Sequence, residues 1–346
     1  MRRLVFPVLF ILFLSTGGVG LLPSQVAAWG SDGHRIVARI AAAYLNPRAR
    51  AAAASLLRDD PYVAACTIHE HTRVKGVADI LACVATWADA VRNMPAYQAT
   101  KPFHFVNIPL EAPGFDAARD CPKEKGCVVS ALDQYQASLA DRTRPRSDRA
   151  EALKFIIHLV GDVHQPLHDA IDQDRDATNP ENAGKNLPAT GEGDRGGNTK
   201  IVTWFGQDAD QFGCWNLHAV WDAGMIERRR QSDATYAETL TSTVTSAMRA
   251  RLGRGTVVDW VNEAFRLAVQ HGYRLPSPEP GDRVCEVRAS HGQECAPFDA
   301  ETCRLTEVHY RYHLGQPYFD ANVGVVDAQL TAAGIRLARI LNAILK

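Results

Sequence analysis

The chain has 346 residues and a formal net charge of −1, with 38 lysines and arginines against 39 aspartates and glutamates. This balance excludes the strongly basic surface with which a protein grips a nucleic-acid duplex, so phosphate chemistry would need positive charge from another source such as bound metal. The length suits one large domain or two small ones, and no repeat or low-complexity linker divides the chain.

The N-terminus has the three parts of a secretory signal peptide. Two arginines precede an apolar run over residues 4–14, which is too short to span a bilayer, and a small-residue cleavage site ends at Ala28. An uncleaved membrane anchor is the alternative, and the short, proline-broken run disfavours it. We therefore predict that residues 1–28 are removed and that residues 29–346, beginning at Trp29, are secreted or periplasmic.

Helical periodicity dominates the remainder. Apolar residues recur every three or four positions in six stretches, which are residues 33–45, 77–94, 147–164, 232–252, 257–273 and 325–345. Strand-like alternation occurs only in residues 103–109 and 199–205, and a polar loop runs from Asp169 to Asn198. We predict an all-α, mainly α-helical single domain.

All eight cysteines lie in the part predicted to be exported, where an oxidising environment favours disulfides. Cys121 and Cys127 flank a short segment and are the best candidates for a local bridge; the other pairings stay open. Cys285, Cys295 and Cys303 share a polar stretch, which we predict to be a disulfide-stapled surface insertion.

Two His–Asp pairs stand four residues apart, His158 with Asp162 and His218 with Asp222. Residues at this spacing share one face of a helix, so each pair can hold one metal ion. A buried histidine–aspartate hydrogen bond is the alternative for either pair alone. The repetition of the pattern favours metal.

Asp89 and His104 also lie within apolar stretches. Burying an unpaired charge is costly, so these side chains need partners. Zinc is the ion that best suits mixed histidine and aspartate ligands in a secreted protein.

The stretch WGSDGH at the predicted cleavage point adds a further candidate. A free α-amine on Trp29 has a pKa near 8 and can lose its proton to a metal, so the amine and the Trp29 carbonyl form a chelate. His34 can complete this site if the chain turns sharply, which Gly30 and Gly33 allow. The alternative is that Trp29 simply packs.

With these motifs, the chain resembles the S1/P1 nucleases, secreted zinc-dependent enzymes whose fold is shared with bacterial zinc phospholipase C. The resemblance covers essentially the whole mature chain, in the order WGSDGH, TWADAVR, FHFVNIP, HLVGDVHQPLH, GGN, LHAVWD and AGIRLARILN. It implies a single phospholipase C/P1 nuclease-like domain with a trinuclear zinc cleft.

The resemblance also implies the ligands of three zinc ions. Those of the first ion are Asp89, His104, His158 and Asp162. Those of the second are the Trp29 amine and carbonyl with His34, and Asp162 bridges the two ions. Those of the third, somewhat apart, are His168, His218 and Asp222. The three ions carry more charge than the ligand carboxylates remove, which supplies the positive charge that the chain itself lacks.

The reaction implied is hydrolysis of P–O3′ bonds in single-stranded RNA and DNA to 5′-phosphates, with 3′-nucleotidase activity. A water that bridges the close zinc pair becomes hydroxide near neutral pH, and Asp89 orients it towards phosphorus. Arg92 adds positive charge to the transition state, and the third zinc stabilises the departing 3′-oxygen.

Three further residues are implied to bind substrate. Phe105 matches the aromatic residue on which a base stacks, and Asn198 matches the amide that hydrogen-bonds the base edge; a core aromatic and a turn residue are the alternatives. Stacking requires an unstacked base, which favours single strands. Asn107 stands where fungal members carry an aspartate paired with the basic residue of the WAD motif, here Arg92.

We expect a monomer without a stable protein partner and without a transmembrane segment. We also expect His164 to make a structural hydrogen bond rather than to ligate metal. A phospholipase C acting on phosphocholine lipids is the runner-up, although its last ligand is typically a glutamate where this chain has Asp222. A zinc-sequestering protein without catalysis is the third possibility, but Arg92, Phe105 and Asn198 would then have no common purpose.

Overall fold

The structure is a computed structural model that describes residues 29–66, 74, 76–173, 193–210, 213–279, 281–289, 292–297 and 308–346. The predicted signal peptide, residues 174–192 of the polar loop and Cys303 lie outside the described residues.

The described part of the chain is mostly helical, which confirms the predicted fold class. The α-helices are α1 (Ser31–Tyr44), α2 (Pro47–Leu57), α3 (Pro61–Ala65), α4 (Val77–Val84), α5 (Trp87–Val91), α6 (Ala117–Asp120), α7 (Val128–Ala140), α8 (Arg146–Asp162), α9 (Leu217–Ala219), α10 (Met225–Glu227), α11 (Asp233–Ser242), α12 (Ser246–Leu252), α13 (Val257–Leu267) and α14 (Gln316–Ile344). Three-ten helices run over Pro95–His104 and Pro166–His168, and π-helical turns over Val220–Gly224 and Ala268–Gly272. Within these ranges, no helix combines the length and the apolar character needed to cross a membrane.

Two of the predicted helical stretches are interrupted at a threonine. Residues 77–94 divide into α4 and α5 around Thr86, whose hydroxyl donates to the Cys83 carbonyl at 3.1 Å. Residues 232–252 divide into α11 and α12 because the Thr245 hydroxyl accepts a backbone N–H and so caps a new helix. The apolar repeat continues through both positions, so periodicity alone did not reveal the breaks.

Helix α8 is the central element of the fold. Every residue from Ala152 to Asp162 is buried, so the second half of this helix has no solvent-facing side. Helices α7, α14, α5 and α1 pack against it. His158 and Asp162 therefore lie inside the core, where polar groups need partners.

A buried hydrogen-bond network fixes the turn that follows α8. His164 donates from Nδ1 to the Val160 carbonyl at 2.7 Å and accepts at Nε2 from Arg336 of α14 at 2.8 Å. Arg336 also pairs with Glu263 of α13. Burial, and then the Arg336 charge, hold the pKa of His164 well below its usual value. His164 is thus a structural residue, as the sequence predicted.

The described strands form a six-stranded mixed sheet in the order β1-β6-β4-β5-β3-β2. They are β1 (Ile201–Trp204), β2 (Ala209–Asp210), β3 (Gly213–Cys214), β4 (Arg283–Ala289), β5 (Gly292–Pro297) and β6 (Val308–Leu314). Neighbours β1/β6 and β3/β5 are parallel, and the other pairs are antiparallel.

Strand β1 confirms the strand predicted in residues 199–205, whereas the strand predicted in residues 103–109 is wrong. That segment begins inside the three-ten helix Pro95–His104, and among the described residues its bridge pairing is an isolated one between Pro109 and Ile171. Strands β4 to β6 were not predicted. The stretch that contains β4 and β5 was interpreted as a polar surface insertion, although these two strands are neighbours along the chain and pair with each other.

The predicted bridge between Cys121 and Cys127 is present, and a second disulfide joins Cys66 to Cys83. Cys285 is also disulfide-bonded, and it is fully buried on β4. The predicted surface insertion is therefore wrong at Cys285, since this segment is part of the sheet.

Candidate metal centre

Asp89, His104 and His158 form the first of three clusters of ligand-type side chains. They come from α5, from the end of the three-ten helix Pro95–His104 and from α8. His104 Nδ1 lies 3.1 Å from His158 Nε2. Asp89 places Oδ1 3.6 Å from His104 Nδ1 and Oδ2 3.6 Å from His158 Nε2. The ligand atoms converge on a space suited to one ion.

Asp162 connects this cluster to a second one, formed by His34, His158 and Asp162. Its Oδ2 lies 3.0 Å from His104 Nδ1 and 3.2 Å from His158 Nε2, whereas its Oδ1 lies 3.3 Å from His34 Nε2. The two oxygens face different histidines, so the carboxylate is placed where it can bridge two ions.

Close packing of α1 on α8 brings His34 to this position. A Cβ on Gly161 would lie only 2.7 Å from His34 Nδ1, so any side chain there would displace the imidazole. The rings of His34 and His158 stack with their centroids 3.9 Å apart. The second cluster therefore depends on a glycine in α8 as well as on its ligand-type residues.

Trp29 lies directly before α1, in whose first turn His34 stands. Its side chain is fully buried and packs against Gly33, as the packing alternative requires. Trp29 is thus packed at the start of the helix that carries His34, and its ligand role stays a prediction.

His168, His218 and Asp222 form the third cluster. They come from the three-ten helix Pro166–His168, from α9 and from the π-helical turn that follows α9. The two Nε2 atoms lie 3.0 Å apart. Asp222 Oδ2 is 3.2 Å from His218 Nε2, and Asp222 Oδ1 is 3.9 Å from His168 Nε2.

Backbone carbonyls fix the outer nitrogens of three histidines. Nδ1 of His158, His168 and His218 donates to the carbonyls of Ala85, His104 and Gly196 at 2.6, 2.7 and 2.7 Å, respectively. In the neutral form each ring therefore presents an unprotonated Nε2 to its cluster, as a metal ligand does. In the third cluster two such lone pairs face each other, which requires a cation or a proton between them.

Several polar atoms of the clusters are buried without a hydrogen bond among the described residues. They are both ring nitrogens of His34, His104 Nε2, Asp89 Oδ2, Asp162 Oδ1 and Asp222 Oδ2. An unsatisfied buried polar atom costs about 1–3 kcal/mol. A divalent ion would satisfy those that face a cluster, and histidine nitrogens with carboxylate oxygens are the usual donors to zinc. The residues therefore fit zinc.

The pKa shifts of His158 and Asp162 agree with a demand for positive charge in the paired clusters. Burial lowers the pKa of His158, but the carboxylates of Asp162 and Asp89 outweigh it and raise this pKa to about 9. Burial raises the pKa of Asp162, but His158 and hydrogen bonds from the surrounding histidines bring it well below its usual value. In the third cluster, burial and the neighbouring His218 lower the pKa of His168 to about 4, which keeps His168 neutral and able to ligate.

The predicted substrate residues lie beside the clusters along the chain. Arg92 donates to Asp89 Oδ1 at 3.1 Å, so its partner here is an aspartate of the first cluster. Phe105 follows His104 and is 38% exposed, so the core-aromatic alternative is wrong. Asn107 is exposed, and Asn198 donates to the Arg195 carbonyl at 2.8 Å, which is a turn-stabilising contact.

The loop that carries Asn198 also supports the third cluster. The sequence analysis did not predict this supporting role of the loop. Gly196 has a φ of +68°, and a Cβ there would lie 2.2 Å from the Leu167 carbonyl oxygen, so only glycine can bring its carbonyl to His218. The buried Asp194 carboxylate accepts from the Gly196 N–H at 3.1 Å and from the Tyr273 hydroxyl at 2.9 Å. The two glycines of the GGN motif were the sequence signal from which this close backbone approach could have been predicted.

The sequence model of the S1/P1 nuclease family matches residues 29–346. The chain belongs to the S1/P1 nuclease family. Endonuclease 3 of Arabidopsis thaliana is 27% identical to it over 93% of this chain and 91% of that protein. Nuclease S1 of Aspergillus oryzae is 31% identical over 66% of this chain and 64% of that protein. Nuclease P1 of Penicillium citrinum is 26% identical over 91% and 97%, respectively. Membership confirms the resemblance found in the motifs and supports a nuclease.

Proposed function

We propose that this chain is a secreted, zinc-dependent endonuclease that hydrolyses the P–O3′ bonds of single-stranded RNA and DNA to 5′-phosphates, and that it is also a 3′-nucleotidase. One observation carries the proposal: three clusters of His and Asp side chains lie in a chain of the S1/P1 nuclease family, and Asp162 stands between two of them. Two close ions and a third apart are suited to activating a water and stabilising a leaving oxygen.

The residues of the clusters would hold three zinc ions. Asp89, His104, His158 and Asp162 would hold the first; the Trp29 amine and carbonyl, His34 and Asp162 the second; His168, His218 and Asp222 the third. Bound zinc supplies hydroxide near neutral pH and neutralises phosphate charge. The second assignment depends on removal of residues 1–28, since only cleavage gives Trp29 a free amine.

Two side chains of the protein would act on the reacting phosphate. Asp89 Oδ2 has no hydrogen bond among the described residues, so the lone pair that the first ion leaves unused can accept one from the attacking water and orient it. Arg92 is held by Asp89 Oδ1 while its side chain keeps 20% exposure, so the guanidinium can reach a phosphate oxygen. The Asp89–Arg92 pair therefore couples the position of the nucleophile to that of the phosphate.

The substrate would be a single strand. Phe105 offers an exposed aromatic face next to His104, and a base can stack on it only after leaving a duplex. Asn198 lies on the loop whose Gly196 carbonyl supports His218, so base contact and the third cluster share one loop. The Cys66–Cys83 and Cys121–Cys127 disulfides support an oxidising compartment.

The proposal is tested with the protein beginning at Trp29. Zinc content is measured together with hydrolysis of single-stranded RNA, single-stranded DNA, duplex DNA, a 3′-mononucleotide and phosphatidylcholine vesicles, before and after removal of metal with a chelator. We expect three zincs per chain, faster cleavage of single strands than of duplex, and loss of activity that zinc restores. Lipid hydrolysis without nuclease activity would replace the proposal with a phospholipase C, and zinc binding without hydrolysis would replace it with a sequestering protein.

Replacing Phe105 with alanine is expected to raise KM for single-stranded substrates. Loss of one base–aromatic stack costs about 1–3 kcal/mol, which corresponds to roughly 5- to 150-fold. Steady-state kinetics on oligonucleotides of different base composition should show the rise for all of them, with zinc content unchanged. Val258→Ala, at another exposed apolar residue, is the control and should keep the wild-type KM. An unchanged KM in the Phe105 variant would exclude stacking there.

A further inference from the structure

Gln165 is a fully buried residue in the turn between α8 and the three-ten helix Pro166–His168. Both ends of its side-chain amide are used. Nε2 donates to Asp222 Oδ1 at 2.6 Å, and Oε1 accepts from the Leu167 backbone N–H at 2.6 Å. A buried amide thus contacts a carboxylate of the third cluster directly.

The second contact fixes the orientation of the first. The Leu167 N–H can only donate, so the amide oxygen must face it, and the NH2 group must then face Asp222. A hydrogen bond from an amide to an ionised carboxylate is stronger than one between neutral groups. The position of Gln165 therefore determines which oxygen of Asp222 is occupied.

The occupied oxygen is Oδ1. The other, Oδ2, is buried, has no hydrogen bond among the described residues and lies 3.2 Å from His218 Nε2. We propose that Gln165 is the positioning residue of the third zinc site. This inference rests on the zinc centre of the proposed function. It makes Asp222 ligate through Oδ2 alone and holds that oxygen opposite the two histidines.

The backbone of Gln165 extends this role. Its N–H donates to the Asp162 carbonyl at 2.9 Å, and its carbonyl accepts from the His168 N–H at 2.9 Å. One residue is therefore hydrogen-bonded to Asp162 of the paired clusters and to His168 and Asp222 of the third. The side chain acts only on the third cluster, so its loss should weaken one zinc site and leave the other two.

The chain offers a matched control. Gln329 of α14 is also buried, at 2% exposure, and its Nε2 donates to Glu263 at 3.3 Å, which is outside all three clusters. Gln165→Met and Gln329→Met each remove one buried amide and keep a side chain of similar volume. A purely structural contribution should appear in both variants, whereas a positioning role should appear only in the first.

Zinc affinity is measured for wild type and both variants by equilibrium against chelators that buffer free zinc, with the metal-free unfolding temperature recorded in parallel. In Gln165→Met we expect the third zinc to bind roughly 10- to 100-fold more weakly, as for other groups that orient a ligand, and the first two to bind as in wild type. Gln329→Met should keep all three affinities. Cobalt substitution should change the absorption of the third site only in the Gln165 variant.

Wild-type affinity at the third site of Gln165→Met, or equal weakening in both variants, would overturn the proposal. If the methionine variant does not fold, Gln165→Asn is measured instead. Asparagine is too short to make both contacts, so an unaltered third site in that variant would also overturn it. A wild-type chain that binds no zinc would instead refute the proposed function, so the two failures are distinguishable.

Discussion

Replacing Asp162 with asparagine is expected to abolish tight binding of two zinc ions and to lower the hydrolysis rate by roughly a thousandfold or more. One carboxylate faces His104 and His158 with one oxygen and His34 with the other, so a single substitution removes an anionic ligand from two sites. Several kcal/mol of transition-state stabilisation depend on such ions, and each ~1.4 kcal/mol is a factor of ten in rate. Zinc content and single-strand cleavage measure the two effects.

Asp233→Asn is the control for the Asp162 variant. Asp233 is also fully buried, and its partner is Arg39, 2.9 Å away and outside the clusters. This variant should lose folding stability but keep three zincs and the wild-type rate per folded molecule. Retention of three tightly bound zincs in Asp162→Asn would mean that the carboxylate does not bridge, and the assignment of the paired site would be wrong.

Adding one alanine before Trp29 is expected to remove the second zinc and to lower activity at least about a hundredfold. An amide nitrogen cannot donate a lone pair to zinc as a free amine does, so extension destroys the chelate while leaving every side chain in place. The measurement compares zinc content and single-strand cleavage of the protein that begins at Trp29 with those of the extended protein.

An alanine added after Lys346, at the exposed other end of the chain, is the matched control and should change neither quantity. Full zinc content and full activity in the protein extended at Trp29 would remove the Trp29 amine from the mechanism. The buried indole and its packing against Gly33 would then account for the residue entirely.

Much of the candidate site was predictable because its signals are local. The spacing of His158 and Asp162 places both on one face of α8 whatever the rest of the chain does. The same four-residue spacing joins His218 and Asp222, although that segment passes from α9 into a π-helical turn rather than continuing as an α-helix. Capping threonines inside periodic stretches have no comparable local signal, so the divided helices were missed. The pairings of β1 with β6 and of β3 with β5 join distant segments, whereas the neighbouring strands β4 and β5 were missed because their stretch was interpreted as a polar insertion.

By itself, the sequence determined the fold class, the family and the list of ligand-type residues, because periodicity, spacing and motif order are properties of the chain. The family resemblance also implied how those residues are grouped, and only the tertiary structure showed the contacts that bring each group together. His34 approaches Asp162 because Gly161 lets α1 pack closely on α8, and Asp222 has one oxygen occupied because the turn after α8 buries Gln165 against it. These contacts join distant segments, and their geometry follows from packing and hydrogen-bond satisfaction in the core, which no local pattern encodes.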